Sequence, residues 1–312
     1  MNTRLRPLAM LAIVLAGAPL FFPNSYVYDV AGTALLNAVV CVGLDLLIGY
    51  AGQISLGHAG FFALGAYGSA ILTGRWGVPP ATALAASAVA VGLLAFLIGR
   101  PVLRLKGHTL AMATLGIGII IHIVLKTESW LTGGSDGLSV DPFRAFGFTL
   151  AGERPWYWVA AVLLLAVMWL TGNLVDSPLG RALRAVHGSE VAAEAAGVDP
   201  APTKLMVFVL SAMFASLAGS LIAHKSGFIT PDIASFFRSI ELVTMVVLGG
   251  MASTWGAVAG AVILTVLPQA LAGIEDYESI LLGAVMMGTM IFLPRGLVPS
   301  LAAAVRRRGR VS

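Results

Sequence analysis

Long apolar runs recur along this chain, separated by short polar or glycine-rich interruptions. An α-helix needs about 20 apolar residues to cross a bilayer. Runs of this kind are read at residues 8–22, 29–50, 54–73, 80–99, 108–125, 156–172, 204–224, 240–253, 255–271 and 278–293. They predict an all-α polytopic membrane protein, a single transmembrane domain over 1–312 with about ten transmembrane helices (8–10), some broken by glycine. Residues 240–271 also fit one broken or re-entrant element. Arg4 and Arg6 precede an apolar run in the manner of a signal peptide. An uncleaved first helix is the preferred reading, because further spans follow and the topology closes only with it.

The longest polar interruption in the second half is 177–199. Ser177-Pro178 reads as an N-cap followed by proline at the first helical position, where its missing N–H costs nothing. Gly188-Ser189 ends that helix and caps a second, which Gly197 and Asp199-Pro200 stop. Neither helix is long enough to be stable alone in water. Glu190 and Glu194, four residues apart, share a face. Ala192, Ala193, Ala195 and Ala196 keep the second helix slim enough to enter a basic groove on a partner, and Arg181 and Arg184 could meet acids at its rim. The stretch reads as a handle for a soluble partner.

Charge orients the chain. Arg75, Lys126, Arg144, Arg154, Lys225 and Arg238 fall on one side of a ten-span arrangement, which leaves thirteen of the 19 basic residues on the other. The positive-inside rule makes the richer side cytoplasmic. Both termini and the 177–199 loop then lie in the cytoplasm, with 126–155 and 225–239 outside. The loop 126–155, which carries Thr132-Gly133-Gly134-Ser135-Asp136-Gly137, reads either as an ordinary solvated connection or as a docking surface or outer gate.

Composition agrees with a membrane protein: 58% of residues are hydrophobic and 11% charged, where soluble domains carry about 25% charged residues. The single cysteine, Cys41, excludes an internal disulfide or multi-cysteine metal site. The net charge of +4 resides at helix ends and loops, and predicts no nucleic-acid partner. Arg306, Arg307, Arg308 and Arg310 form a basic tail suited to anionic membrane lipid.

No catalytic or metal-binding motif stands out. Lys106, Lys126, Lys204 and Lys225 follow Leu, Leu, Thr and His, so none completes a phosphate-binding loop of the Walker type. The five histidines are scattered. Neither an enzyme nor a resident cofactor is expected.

The most unusual apolar stretch is Gly49-Tyr50-Ala51-Gly52-Gln53-Ile54-Ser55-Leu56-Gly57-His58-Ala59-Gly60. Its glycines weaken a helix by about 1 kcal/mol each. Gln53, Ser55 and His58 bring hydrogen-bonding groups where lipid offers none. Broken backbone at membrane depth is tolerated only when buried in protein or lining a cavity. Two readings follow for Gln53, Ser55, Gly57 and His58: they line a translocation path, or they pack helices closely. A second glycine-rich break, 249–256, reads as another interruption or as a tight turn. Asp45 and Glu241 are the two acids inside apolar segments, which makes them functional candidates by default. Asp45 lies near the cytoplasmic end of its helix and Glu241 at the start of a helix near the outside.

These motifs closely resemble the branched-chain amino acid ABC transporter permeases of the LivM type. The resemblance rests on 49–62, Leu103-Arg104-Leu105-Lys106-Gly107, Ala113-Thr114-Leu115-Gly116, Leu131-Thr132-Gly133-Gly134 and Ser177 to Ala185. Ala192 to Gly197, Val246 to Gly250, Trp255-Gly256-Ala257 and Pro294-Arg295-Gly296-Leu297 continue it in the same order. It implies a permease subunit of the bacterial inner membrane, paired with a LivH-type second permease. Two ATP-binding cassette ATPases and a periplasmic substrate-binding protein complete the importer, with ATP bound only by the ATPases. It identifies 177–199 as a coupling loop, with Arg181, Arg184, Glu190, Ala193, Glu194 and Gly197 as candidate ATPase contacts. The family's Glu-Ala-Ala, three residues, Gly pattern is met by Val191-Ala192-Ala193 and Gly197, with Val in place of Glu. Asp45 stands where the family has Asn. Related permeases carry urea, short amides or other small solutes, so these are alternative cargoes. A self-contained ion-coupled transporter is the alternative of a different class.

Overall fold

The computed structural model describes residues 5–145 and 148–270, with positions 283, 287, 288, 296–298 and 300 beyond them. The expected span 278–293 is therefore outside the described residues except at three positions, as is the arginine tail. The helices are α1 (Leu5–Gly17), α2 (Ser25–Asp45), α3 (His58–Trp76), α4 (Pro80–Val102), α5 (His108–Thr127) and the short α6 (Ser129–Thr132). They continue as α7 (Glu153–Asp176), α8 (Pro178–Gly188), α9 (Glu190–Ala195), α10 (Pro200–Ser226), α11 (Phe236–Gly249) and α12 (Thr254–Ala270).

Among the described residues, five helices are long and apolar enough to cross a membrane: 25–50, 80–102, 108–127, 153–176 and 200–226. The first is α2 prolonged by a wider π-type turn, Leu46–Tyr50. It is almost wholly enclosed, with α7, α10, α11 and α12 around it. An apolar helix hidden on every side has no wet face to declare, which is why its hydrophobicity shows no stripe. On the other side of α10 lie α3 and α4, and α5 packs outside α3.

Small residues set the spacing of this bundle. A Cβ at Gly219 of α10 would lie 2.0 Å from the Phe62 carbonyl oxygen, and one at Gly65 would lie 2.3 Å from the Ser216 carbonyl oxygen. Ser220 Oγ donates to the Gly65 carbonyl at 2.8 Å. Apolar surface gains little by leaving lipid, so close backbone approach and hydrogen bonds between helices carry the association.

At one end the long loop and the segment after α10 are stitched together. Strand β1 (Leu138–Ser139) follows α6, and β2 (Arg144–Ala145) pairs antiparallel with β3 (Phe148–Thr149). Strand β4 (Phe228–Ile229) runs antiparallel to β1. His224 Nδ1 donates to the Asp141 carbonyl and His122 Nδ1 to that of Pro231, both at 2.9 Å. Lys225 Nζ meets Asp29 at 2.6 Å and Thr33 at 2.7 Å. The opposite end carries α8 and α9.

Two helices begin inside the bundle instead of at its ends. His58, the first residue of α3, bonds Ser211 near the midpoint of α10. Arg238, in the first turn of α11, bonds Asn37 near the midpoint of helix 25–50. At 1.5 Å per residue, the 14 residues of α11 cover only about 21 Å. The expected spans 54–73 and 240–253 are corrected accordingly. The first begins at 58 because residues 51–57 are irregular backbone, and the second is a half-length helix shifted to 236–249. Arg238 and Glu241 move with α11 from the expected outer end to mid-depth. The residues 250–253 are a turn between two helices.

A packing role for glycine predicts asymmetric tolerance. Gly219→Val is expected to cost about 1–3 kcal/mol by overpacking the α3–α10 seam. Gly172→Ala, inside α7 at a position with open space around it, is expected to stabilise by up to about 1 kcal/mol. Thermal denaturation of the detergent-purified proteins measures both.

Candidate functional site

The π-type turn that ends helix 25–50 prepares the break. The Ala51 N–H donates to the Leu46 carbonyl at 3.1 Å and the Gln53 N–H to that of Leu47 at 2.9 Å. Gly52 supplies the left-handed conformation, φ +68°, that this reversal requires and that glycine adopts without steric cost. The chain then runs as a strap, 51–57, back into the bundle to the start of α3.

Of the two polar side chains on the strap, Ser55 is tied down and Gln53 is not. Ser55 Oγ bonds His58 Nδ1 at 2.8 Å and His58 Nε2 bonds Ser211 Oγ at 2.7 Å, so the imidazole bridges the strap to α10. The Leu56 N–H donates to Thr114 Oγ1 at 3.1 Å. Gly57 lies against α5, where a Cβ would come within 2.3 Å of the Thr114 carbonyl oxygen. Gln53 is 2% exposed, and its amide oxygen and nitrogen both lack a partner among the described residues. The four residues singled out from sequence are thus adjacent, with Gln53, Ser55 and His58 enclosed within the chain.

The start of α11 meets the start of α3 at this depth. Ser239 Oγ accepts from the Ala59 N–H at 3.3 Å. Arg238 Nη1 donates to Glu241 at 2.6 Å and Nη2 to Asn37 Oδ1 at 2.5 Å, while the guanidinium lies 5.9 Å from the Phe62 ring. Asn37 Nδ2 continues the chain to Thr265 Oγ1 of α12 at 3.0 Å. Arg238 and Asn37 were not among the residues expected to matter. Arg238 had only the local signal of an Arg–Glu pair three residues apart leading into an apolar run.

The two glycine-rich breaks also touch. Asp45 Oδ1 accepts from the Ala252 N–H at 2.8 Å, and a Cβ at Gly49 would lie 2.2 Å from that same nitrogen. Ala252 has φ +58°, the one non-glycine residue in that region among the described residues. Gly249 packs on Gly256, and Gly296 returns to Gly250, where a Cβ would lie 2.2 Å from its Cα. Asp45 therefore clasps the α11–α12 turn to the end of helix 25–50.

The handle sits directly on this assembly. Ser177 and Ser189 cap α8 and α9 as their sequence positions predict, and Asp199, expected only to stop α9, also caps α10; each side chain accepts from a backbone N–H of the first turn. Leu183 and Val186 face inward. Gly180 packs on the end of α7, where a Cβ would be 2.0 Å from the Val175 carbonyl, and Arg184 bonds that carbonyl at 3.2 Å. His187 lies against Gly52, so that a Cβ there would fall 2.8 Å from its Nδ1.

Glu190 and Ala193 do not share the outward face expected of α9. Glu190 pairs with Lys106 at 2.8 Å and also with Lys204, a side chain only 8% exposed. Ala193 is buried against its own chain. What faces out is Arg181, Val191, Ala192, Glu194 and the αL residue Gly197. The Lys106 and Lys204 ammonium groups hold the Glu190 carboxyl below its ordinary pKa, and Glu190 in turn raises that of Lys106.

Comparison with known proteins places this geometry in a family. The family model described as the permease component of the branched-chain amino acid transport system matches residues 26–290. The permease protein LivM of the high-affinity branched-chain amino acid transport system of Escherichia coli K12 is 33% identical over 92% of this chain and 73% of its own length. LivH of Salmonella typhimurium is 25% identical over 84% of this chain and 90% of its own length. The ribose import permease protein RbsC of Haemophilus influenzae is 26% identical over 84% and 82%. No solved structure matches the chain significantly.

The lowered Glu190 pKa fixes the sign of a pH effect. Its ion pairs contribute fully above the ordinary glutamate pKa of about 4.3 and are lost as pH falls through the lower folded value. Amide exchange in 190–196 is expected to quicken relative to α10 as pH falls through that window, after correction for intrinsic exchange. Glu190→Gln should show the faster exchange already at neutral pH.

Proposed function

The chain belongs to the family of branched-chain amino acid transport system permeases, and from that premise we propose that it is a membrane-spanning subunit of an ATP-driven importer. Its cargo is a branched-chain or related amino acid. A second permease of the LivH kind completes the membrane part, two ATP-binding cassette subunits supply hydrolysis, and a periplasmic binding protein delivers the solute. The relatives are transport permeases, and the apolar helices of this chain suit a multi-pass protein of the inner membrane.

The handle lies on the ATPase side, with both termini. Its exposed face of Arg181, Val191, Ala192, Glu194 and Gly197 is the surface that meets an ATPase, while Arg184, Glu190 and Ala193 seat it on the bundle. The single observation that carries this division is the contact between His187 and Gly52. Through it, movement of α8 reaches the strap, and the strap carries Gln53, Ser55, Gly57 and His58 at the edge of the path.

Reconstitution separates the two sets of residues. Val191→Glu and Glu194→Lys alter only the outward face; each is expected to reduce co-purification of the ATPase and uptake about tenfold without changing the thermal stability of this chain. Glu190→Gln should leave the ATPase bound but lower uptake per ATP hydrolysed. If Val191→Glu and Glu194→Lys retain full ATPase binding and coupled uptake, the handle is not the docking element.

A further inference from the structure

A cavity of about 710 Å³ opens beside the start of α11, within the size range of small-molecule sites. Its lining combines the charged Arg238, Glu241 and Asp232 with apolar residues that include Phe62, Ile233 and Phe237. Two features coincide in it. It is at mid-depth, because Arg238 bonds Asn37 halfway along helix 25–50. It also joins opposite charges to an apolar wall, whereas the groove between α1, α2 and α12 is lined almost entirely by apolar side chains. An ion pair at membrane depth is costly to maintain and marks a solute route by default.

We propose that this cavity is the station where the solute pauses during transport, and that it selects a zwitterionic α-amino acid with a branched apolar side chain. This deepens the importer reading and rests on it. The solute carboxylate bonds the Arg238 guanidinium, which has five N–H donors and spends one nitrogen on Glu241 and another on Asn37. The solute ammonium bonds the Glu241 carboxylate, with Asp232 adding negative charge at the mouth. The side chain packs on Phe62, Ile233 and Phe237. The pair is within reach: the Arg238 side chain is 20% exposed and that of Glu241 39%. In the empty cavity Arg238 and Glu241 satisfy one another, and a zwitterion replaces that bond with two of the same kind. An isostere that lacks one of the two charges leaves one member of the pair unsatisfied, which is how a buried polar site rejects a near-match. Broken helices meeting at a mid-depth site are an arrangement other transporters use for the same purpose.

The test uses the importer reconstituted with its partner subunits, in a Cys41→Ser background with Ile240→Cys, a lining position outside the proposed contacts, as the reporter. Leucine is expected to slow maleimide labelling of position 240 at least fivefold. 4-Methylpentanoate, which lacks the ammonium, and isoamylamine, which lacks the carboxylate, should each give less than twofold protection. Glu241→Gln, close in shape to the native residue, and Arg238→Gln should each abolish protection by leucine; size-exclusion chromatography confirms their assembly. Equal protection by all three compounds, or leucine protection that survives in assembled Glu241→Gln, overturns the proposal. Radiolabelled leucine uptake by the reporter protein distinguishes the two levels. Uptake without protection removes this site and leaves the importer reading standing, whereas absence of leucine uptake in the unlabelled parent importer removes both.

Discussion

Irregular backbone inside a bilayer must find all its hydrogen bonds within the protein, and the fold of this chain turns on how that demand is met. The strap 51–57 and the start of α11 both interrupt helices at depth. Side chains meet part of it directly: Thr114 accepts from the Leu56 N–H and Ser239 from the Ala59 N–H. Ser55, His58 and Ser211 tie the strap to α10 side chain to side chain, and Asn37, Arg238 and Thr265 form a second such run. Remove these and the half-length helices have no fixed level. The glycine contacts matter for the same reason, since a hydrogen bond between helices at this range requires backbones that nearly touch.

The same arrangement gives the handle leverage. Its amphipathic helix α8 is held at its start by Gly180 on α7 and near its end by His187 on Gly52. Glu190 ties α9 to the loop before α5 through Lys106 and to α10 through Lys204. Beneath it, Asp45 binds the α11–α12 turn to helix 25–50. A short series of packed contacts therefore joins the handle to α11. That physical continuity is the structural basis for treating the handle and the mid-depth cavity as parts of one device.

Much of this was legible in the sequence, and the gaps have physical causes. The helix caps at Ser177 and Ser189 act locally, so their positions could be read directly, whereas Asp199 was legible as the stop of α9 but not as the cap of α10. The glycine-rich stretch from Gly49 to Gly60 announced a break for the same reason. Its course could not be read, because an apolar strap and an apolar helix have the same hydropathy. The start of α11 was hidden by Arg238, which alone looks like a loop residue; its partner Asn37 is 201 positions away. Glu190 was misassigned to an outward face because its spacing to Glu194 is a local signal, whereas Lys106 and Lys204 are brought to it only by the fold. The half-buried Arg238–Glu241 pair was similarly visible as two charges but not as a site.

The central claim is that α3 and α11 start halfway across the membrane and enclose the transport site between them. An electron cryo-microscopy map of the reconstituted importer, prepared with excess leucine, tests it most directly. The account predicts that α11 begins beside Asn37, and that density the size of one amino acid lies between Arg238 and Phe62. An α11 that continues unbroken to the outer surface, or leucine density elsewhere with this cavity filled by side chains, would contradict it.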